Sequence, residues 1–585
     1  MDTKAHQEAE NFLRNETQFH LGMLPTEQSN SKTNGLDLKF AENTASGVKM
    51  LLSVDRDIYT LAQKIFSGKE YKAMVEAGIK AVSEGKKIVF SGCGATGRLS
   101  ILLESMWRCF FRDIHQKYPA IYNKTKKYEN SVFSIMTGGD YALIRAVEYF
   151  EDYQEFGRQQ AKEININMGD VLIAITEGGE TSSVLGTVAE AADRGAKVFL
   201  VFNNPADILA KYIERSRLAI EDPRVVVVDL YCGPMAIAGS TRMQATTSEQ
   251  LIVGAVLESI LSTLFIQELS ESEIKILNIR DIDYAESFNT LLDELLLNTN
   301  TETIADYIKM EKSVYQENGL VTYFGKEFLL DIFTDSTERA PTFMLPPFKK
   351  DDDPVSPPSW AFIKNPLLPT PETWNYVLGR QPRCLDWDSN LYRQMGVPEF
   401  LASAPPILDK EQIVKFHIGN EEDNSRLSRK PNIAISIIGQ RDIESPLYID
   451  YITSFKHITS KYQQTSSLII GKCDVASEYT ILCSPVPSIL NLMERLAVKL
   501  VLNTISTGTM VVMGRVSGNW MTWVDVTNKK LKDRGIRLIS DICGLSYHDA
   551  CYALHETIEE LKTINQTSIE KFSPVQYTIQ KYKRK

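Results

Sequence analysis

Three glycines in Ser91-Gly-Cys-Gly-Ala-Thr-Gly-Arg98, set directly after the apolar run Lys87-Ile-Val-Phe90, are the residues of this chain best suited to chemistry. Gly92, Gly94 and Gly97 let a backbone pass close to an anion, and Thr96 adds a hydroxyl. Leu99 to Phe110 reads as a helix, so its first N–H groups and positive dipole end would face the loop beside Ala95. A phosphate cradle has this layout, and so does a strand-to-helix connection that is merely tight. A second loop, Ile175-Thr-Glu-Gly-Gly-Glu-Thr181, then Ser182, follows another apolar run. Thr176, Gly178, Thr181 and Ser182 would extend the cradle with neutral donors. Glu177 and Glu180 in that loop would repel a phosphate. They are expected to turn to solvent, the alternatives being recognition of sugar hydroxyls or carriage of protons.

The elements that must position these loops alternate. Lys87 to Phe90, Val132 to Met136, Val171 to Ile175, Lys197 to Phe202 and Val225 to Leu230 read as strands without strict alternation, as in a parallel sheet covered by helices on both faces. Ligands in such sheets sit beyond the carboxyl ends of the strands. A second series, Val321 to Gly325, Ile433 to Gly439, Ser467 to Gly471 and Thr480 to Ser484, implies a duplicated architecture. Between its first two strands, Pro341 to Pro371 holds nine of the 23 prolines and the run Lys349-Lys-Asp-Asp-Asp353, which reads as a long loop or lid with a solvated charge run. Trp360, Trp374 and Trp387 would pin it to the core. Ser488 to Met513 reads as an amphipathic helix and Tyr547 to Thr563 as another, before a basic tail, Lys581 to Lys585, expected to fray.

Composition narrows the function. The 585 residues are 43% apolar and 24% charged, enough for two ordinary domains, and a net charge of −11 offers no general attraction to nucleic acid. Met1 to His20 lacks the apolar core of a signal peptide, so a cytoplasmic location is expected. The longest apolar run, Leu251 to Ile266, is interrupted by Glu258 and Ser259 and suits a buried helix rather than a membrane span. The eight cysteines show no metal-type pairing, and neither metal nor cofactor is expected.

Several separated segments carry a resemblance to the sugar isomerase (SIS) domain, in the branch holding N-acetylmuramic acid 6-phosphate etherases and the glucokinase regulatory protein. They are the glycine loop Gly92 to Arg98, Thr137-Gly-Gly-Asp-Tyr-Ala142 with Ala146-Val-Glu-Tyr-Phe-Glu-Asp152, Asn203-Asn-Pro205 and Gly233-Pro-Met-Ala-Ile-Ala-Gly-Ser-Thr-Arg-Met243. Lys499 to Gly508, Gly514 to Asn519, Thr527-Asn-Lys-Lys-Leu531 and Thr26-Glu-Gln-Ser-Asn30 complete the set. The resemblance implies an α/β fold of two SIS domains, each a three-layer αβα sandwich on a parallel sheet, plus a C-terminal helical segment. It divides the chain into an extension at 1–45, a first SIS domain at 46–285, a diverged second at 286–505 with an insertion at 341–371, and helices at 506–585.

The ligand implied is a sugar phosphate of the hexose 6-phosphate or N-acetylmuramic acid 6-phosphate type. It implies Lys499 as the cation, brought to the first domain from far downstream, and Ser240 and Thr241 as contacts to sugar hydroxyls, unless they only cap a helix. Arg98 could touch ligand or pair with Glu148 or Asp152, and pairing is the simpler reading. Etherase chemistry needs a base at the sugar C2 and an acid at the departing ether oxygen. Glu148 matches one family glutamate, but Met106 stands at the other, Glu104 points elsewhere around its helix, and Gln244 replaces a family lysine. Gly325-Lys-Glu-Phe-Leu329 lacks spaced glycines, so a second cradle is less expected than a structural partner domain. A sugar-phosphate-binding regulator similar to the glucokinase regulatory protein is therefore the leading expectation, with an etherase or sugar-phosphate isomerase as the alternative. The regulatory branch implies a sugar kinase partner, which no surface motif here identifies; neither nucleic acid nor membrane is expected.

Overall fold

The computed structural model describes residues 4–147, 149–472, 475, 477–565 and 571–583. Two five-stranded parallel sheets organise it. In the first, β1 (Ile88–Gly92), β2 (Val132–Met136), β3 (Val171–Ile175), β4 (Lys197–Phe202) and β5 (Val225–Asp229) lie in the order β2-β1-β3-β4-β5. The chain leaves β1 toward one edge and returns past it toward the other, so the switch point lies between β1 and β3. The crevice beyond their carboxyl ends is the natural ligand position. β1 and β3 are buried along their whole length, which explains their unbroken Val/Ile/Phe/Ala runs, whereas edge strand β5 is only partly covered.

The second sheet comprises β6 (Leu320–Phe324), β7 (Ala361–Lys364), β8 (Asn432–Gly439), β9 (Gln464–Ile470) and β10 (Tyr479–Ile481), in the order β10-β9-β8-β6-β7. It repeats the first topology, with β6 in the place of β1. Strand β7 corrects the reading of 341–371 as a loop: it pairs in parallel with β6 from Val321↔Ala361 to Phe324↔Lys364, inside the proline-dense stretch. A four-residue edge strand with no proline of its own escapes notice among prolines that cannot donate to a ladder. Pro341 lies inside the last turn of one helix, Leu329–Phe343, and Pro371 in the first turn of the next, Thr370–Leu378. Trp360, Trp374 and Trp387 are buried, pinning the stretch as expected.

Six helices matter for the site: α1 (Ala95–Lys117), α2 (Ser182–Asp193), α3 (Gln244–Glu268), α4 (Leu329–Phe343), α5 (Leu492–Val512) and α6 (Lys529–Cys543). Helix α5 is not amphipathic. It passes between α3, α4 and the helix Asn298–Gln316 and is buried nearly all round, its Ser, Thr and Asn residues included, and a Cβ on Gly508 would lie 2.6 Å from Ile308. Helix α3 is longer than its apolar run suggested; by length and composition it could cross a membrane, but 78% of its apolar window is buried inside the fold. The described part of the basic tail is helical, Pro574–Lys583, and Lys581 pairs with Glu560 at 2.8 Å rather than fraying. The N-terminal helix Lys4–Asn15 packs on Tyr547–Asn565.

Candidate functional site

The loop after β1 is shaped by two glycines. Gly94 sits at φ +58°, and a Cβ on Gly92 would lie 2.4 Å from the Thr96 carbonyl carbon and oxygen. Helix α1 starts at Ala95, so its first N–H groups have no partner within the helix and point toward the crevice. The Thr96 hydroxyl fastens this turn: it accepts from the Cys93 N–H at 3.0 Å and donates to the Cys93 carbonyl at 2.9 Å. Its proton is thus spent on the loop, which leaves the backbone N–H groups as the donors available to an anion. Burial pushes the neighbouring Cys93 thiol up, so it is no nucleophile near neutral pH.

The loop after β3 closes on itself through a hydrogen bond from Thr176 Oγ1 to Thr181 Oγ1 at 3.1 Å, and α2 begins at Ser182. A Cβ on Gly178 would lie 1.8 Å from Glu180 Oε2, so the glycine lets that carboxylate fold back over the loop. That carboxylate overturns the expectation of a solvent-facing pair. Glu180 is buried and ion-paired with Lys530 from α6, while Arg215 donates to its carbonyl at 2.6 Å. Glu177 is only partly exposed, and burial, reinforced by Glu338 and Glu180 against its own backbone N–H and Lys530, lifts its carboxyl to about 7. Lys530 therefore stands beside the second loop, paired with Glu180 and acting on Glu177. Its motif, Thr527 to Leu531, was visible in the sequence, but its position was not.

The remaining candidates come from the turn before α3 and from the second half of the chain. Ser240 is buried in a tight turn, its N–H bonded to the Ile237 carbonyl, and Thr241 is partly exposed beside it. Lys499 does reach this turn from α5. Its ammonium donates to the Arg242 carbonyl at 3.1 Å, Thr247 Oγ1 at 2.8 Å and Asn503 Oδ1 at 2.9 Å, which uses all three protons. Burial pushes it down to about 8 against the charges of Glu338 and Asp55. A small cavity of about 20 Å³ joins Ala95, Arg242, Glu338 and Lys499, so the turn, the glycine loop and α4 meet at one place.

Arg98 is structural, and Asp152 is not among its partners. It donates to the Leu143 carbonyl and Thr337 Oγ1, each at 3.0 Å, with Glu338 at 3.9 Å, tying the first sheet's loops to α4. Glu148 lies outside the described residues. Met106 is buried, and Glu104 does point away from the crevice, into a cluster with Arg108 (2.7 Å), Arg380 (3.0 Å) and Arg383. Burial would raise Glu104, but the three guanidinium charges win and hold it at about 2. Gln244, where the family has lysine, holds its turn by accepting from the Ala236 N–H. Thr26 seals the crevice through paired bonds with Asn204 (3.1 and 2.9 Å), and Asn204 in turn bonds the Gly178 carbonyl at 2.9 Å.

The second sheet has no such cradle. After β6, the Glu327 N–H is taken by the buried carboxylate of Asp442 at 3.1 Å, which also accepts from the Gly439 N–H at 3.0 Å.

Residues 71–192, which contain both cradle loops, match the family model for the glucokinase regulatory protein N-terminal SIS domain. Those residues form an SIS domain. The chain resembles the N-acetylmuramic acid 6-phosphate etherases as well. N-acetylmuramic acid 6-phosphate etherase 1 of Bacillus licheniformis is 27% identical over 237 residues, covering 40% of this chain and 68% of the relative. The Aeromonas hydrophila etherase is 33% identical over 184 residues, covering 32% and 53%. Among solved structures, the C-terminal domain of glucosamine-fructose-6-phosphate aminotransferase from Francisella tularensis aligns with 79% of this chain and 96% of its own at 10% identity and a TM-score of 0.40.

Proposed function

We propose that this chain binds a sugar phosphate, of the hexose 6-phosphate or N-acetylmuramic acid 6-phosphate type, at the crevice between β1 and β3, and acts as a ligand-gated regulator of amino-sugar or hexose phosphate metabolism. One observation carries the reading: glycine-loop N–H groups and the second loop with its Lys530 partner border one crevice, while Met106, not a glutamate, fills the position of the family's second glutamate. Met106 is buried at that position, and Glu104 at about 2 stays ionised and cannot donate a proton near neutral pH. Because α4, α5 and α6 all border the crevice, occupancy would bias how both halves pack, which is what a regulator requires. A sugar kinase is the partner this reading names.

A second reading, a lyase cleaving N-acetylmuramic acid 6-phosphate, is favoured by the etherase relatives and by Glu177, whose carboxyl at about 7 is poised to carry a proton. Incubation with N-acetylmuramic acid 6-phosphate separates the two. Saturable binding in calorimetry without lactate release is expected; lactate release that disappears in Glu177→Gln or Glu148→Gln would make the chain an enzyme.

Protonation of Glu177 is also expected to govern affinity. A phosphate dianion raises a nearby carboxyl further, so binding takes up a proton and strengthens as pH falls from 8 toward 6.5; below about 6 the ligand itself gains a proton and the gain reverses. Glu177→Gln mimics the protonated form. Its affinity at pH 8 is expected to exceed the parent's, with a flat profile to pH 6.5; an unchanged slope would place Glu177 away from the phosphate.

A further inference from the structure

The second sheet carries a polar cavity at its own switch point, between β6 and β8, where α1 of the first half crosses it. Its enclosed part is about 30 Å³ and opens to solvent, and four cations line it: Arg112 from α1, Lys326 after β6, Arg441 after β8 and Arg495 from α5. Only two carboxylates do, Asp113 and Glu327. Arg441 reaches them at 2.7 and 3.6 Å, Arg112 reaches Asp113 at 3.4 Å, and Lys326 pairs with Glu327. Arg495 is the telling residue: its side chain is only 9% exposed, it pairs through one terminal nitrogen with Asp331, and its Nε has no hydrogen-bond partner.

A buried guanidinium N–H without an acceptor costs stability unless something accepts from it. Behind the lining, Asp331 is raised by burial only to about 6 and stays ionised against Arg495, while Asp442 and Glu494, also lifted by burial, accept from backbone N–H groups. The lining itself thus holds four cations and two carboxylates, with Asp331 the counter-ion of Arg495.

We propose that this cavity is a second anion site, separate from the cradle, that takes a phosphate monoester. The unpartnered Arg495 N–H gives an anion a donor, and arginine forks with a lysine suit phosphate oxygens. The glycines missing after β6 bear only on backbone donors, and here side chains gathered from four elements replace them.

Calorimetric titration of the full chain with inorganic phosphate and with glucose 6-phosphate tests the site. Two equivalents per chain are expected. Lys326→Met and Arg441→Gln should each weaken one of them by ~10-fold or more, the loss of a charge-assisted hydrogen bond, while Gly92→Ala removes only the other. Lys326→Met decides the matter if Arg441→Gln fails to fold, because Lys326 makes the lesser structural contribution, to Glu327 and Ser445. A single equivalent that vanishes with Gly92→Ala, or binding unchanged in both cation variants, overturns the proposal. A single equivalent that survives Gly92→Ala and is lost with Lys326→Met supports this site and sinks the cradle instead.

Discussion

Glu104→Gln is expected to destabilise the chain by about 3–5 kcal/mol, the cost of leaving buried guanidinium groups without their counter-ion. Glu104 accepts from Arg108 Nε at 2.7 Å, Arg380 Nε at 3.0 Å and both the N–H and hydroxyl of Ser134, at 3.1 and 2.6 Å, and it also pairs with Arg383. Arg380 and Arg383 belong to the segment after Thr370–Leu378, so this carboxylate clamps α1 to the second half of the chain. Arg380 keeps a second acid, Asp140 at 3.1 Å, and Arg108 keeps Asn130 at 2.9 Å; Arg383 loses most. The depressed carboxyl pKa gives the same sign. Ionisation stabilises the fold fully above the ordinary value of 4.5, and this contribution is lost as pH falls through about 2. Denaturation midpoints measured between pH 7 and pH 2.5 should therefore fall more steeply in the parent than in Glu104→Gln. Equal slopes would show that the cluster contributes little.

Gly92→Ala should abolish tight binding at the cradle while the chain still folds. The added methyl meets backbone on every side, 2.4 Å from the Thr96 carbonyl and 2.6 Å from the Gly97 nitrogen, so the loop itself has to move. Such overpacking costs about 1–3 kcal/mol of stability. The larger effect falls on the ligand: misaiming one or two charge-assisted N–H donors, each about 1.5–3 kcal/mol, weakens sugar-phosphate binding by ~10- to 1000-fold. Calorimetry with glucose 6-phosphate, alongside a thermal melt to show folding, reads both. Parent-like affinity with a lowered melting temperature would mean that the loop is only a tight connection.

Much of the frame is written locally. Nine of the ten sheet strands lie within a few residues of their apolar runs, because a strand covered on both faces must be continuously apolar whatever surrounds it. The tenth, β7, was hidden because Ala361-Phe-Ile-Lys364 is short and ends on a lysine, and only its pairing with β6 makes it a strand. Helix α5 was misread for a related reason: its Ser, Thr and Asn positions resemble a solvent face, yet they are buried between neighbouring helices. Glu180 and Arg98 show the same limit at the site. Charged residues in a loop or early in a helix are expected in water or beside a local partner, and these two are held by Lys530 and Thr337, hundreds of residues away.

What the sequence determined by itself was the cradle's backbone: three glycines between a buried strand and a helix permit one tight turn, and that turn aims N–H groups whatever the rest of the chain does. Tertiary structure alone decided which charges face that turn. Lys530 stands beside Glu180, Lys499 spends its protons on the Arg242 turn, and four cations meet around α1. Charges act through space over a few ångströms, and sequence distance carries no record of which of them the fold will bring together.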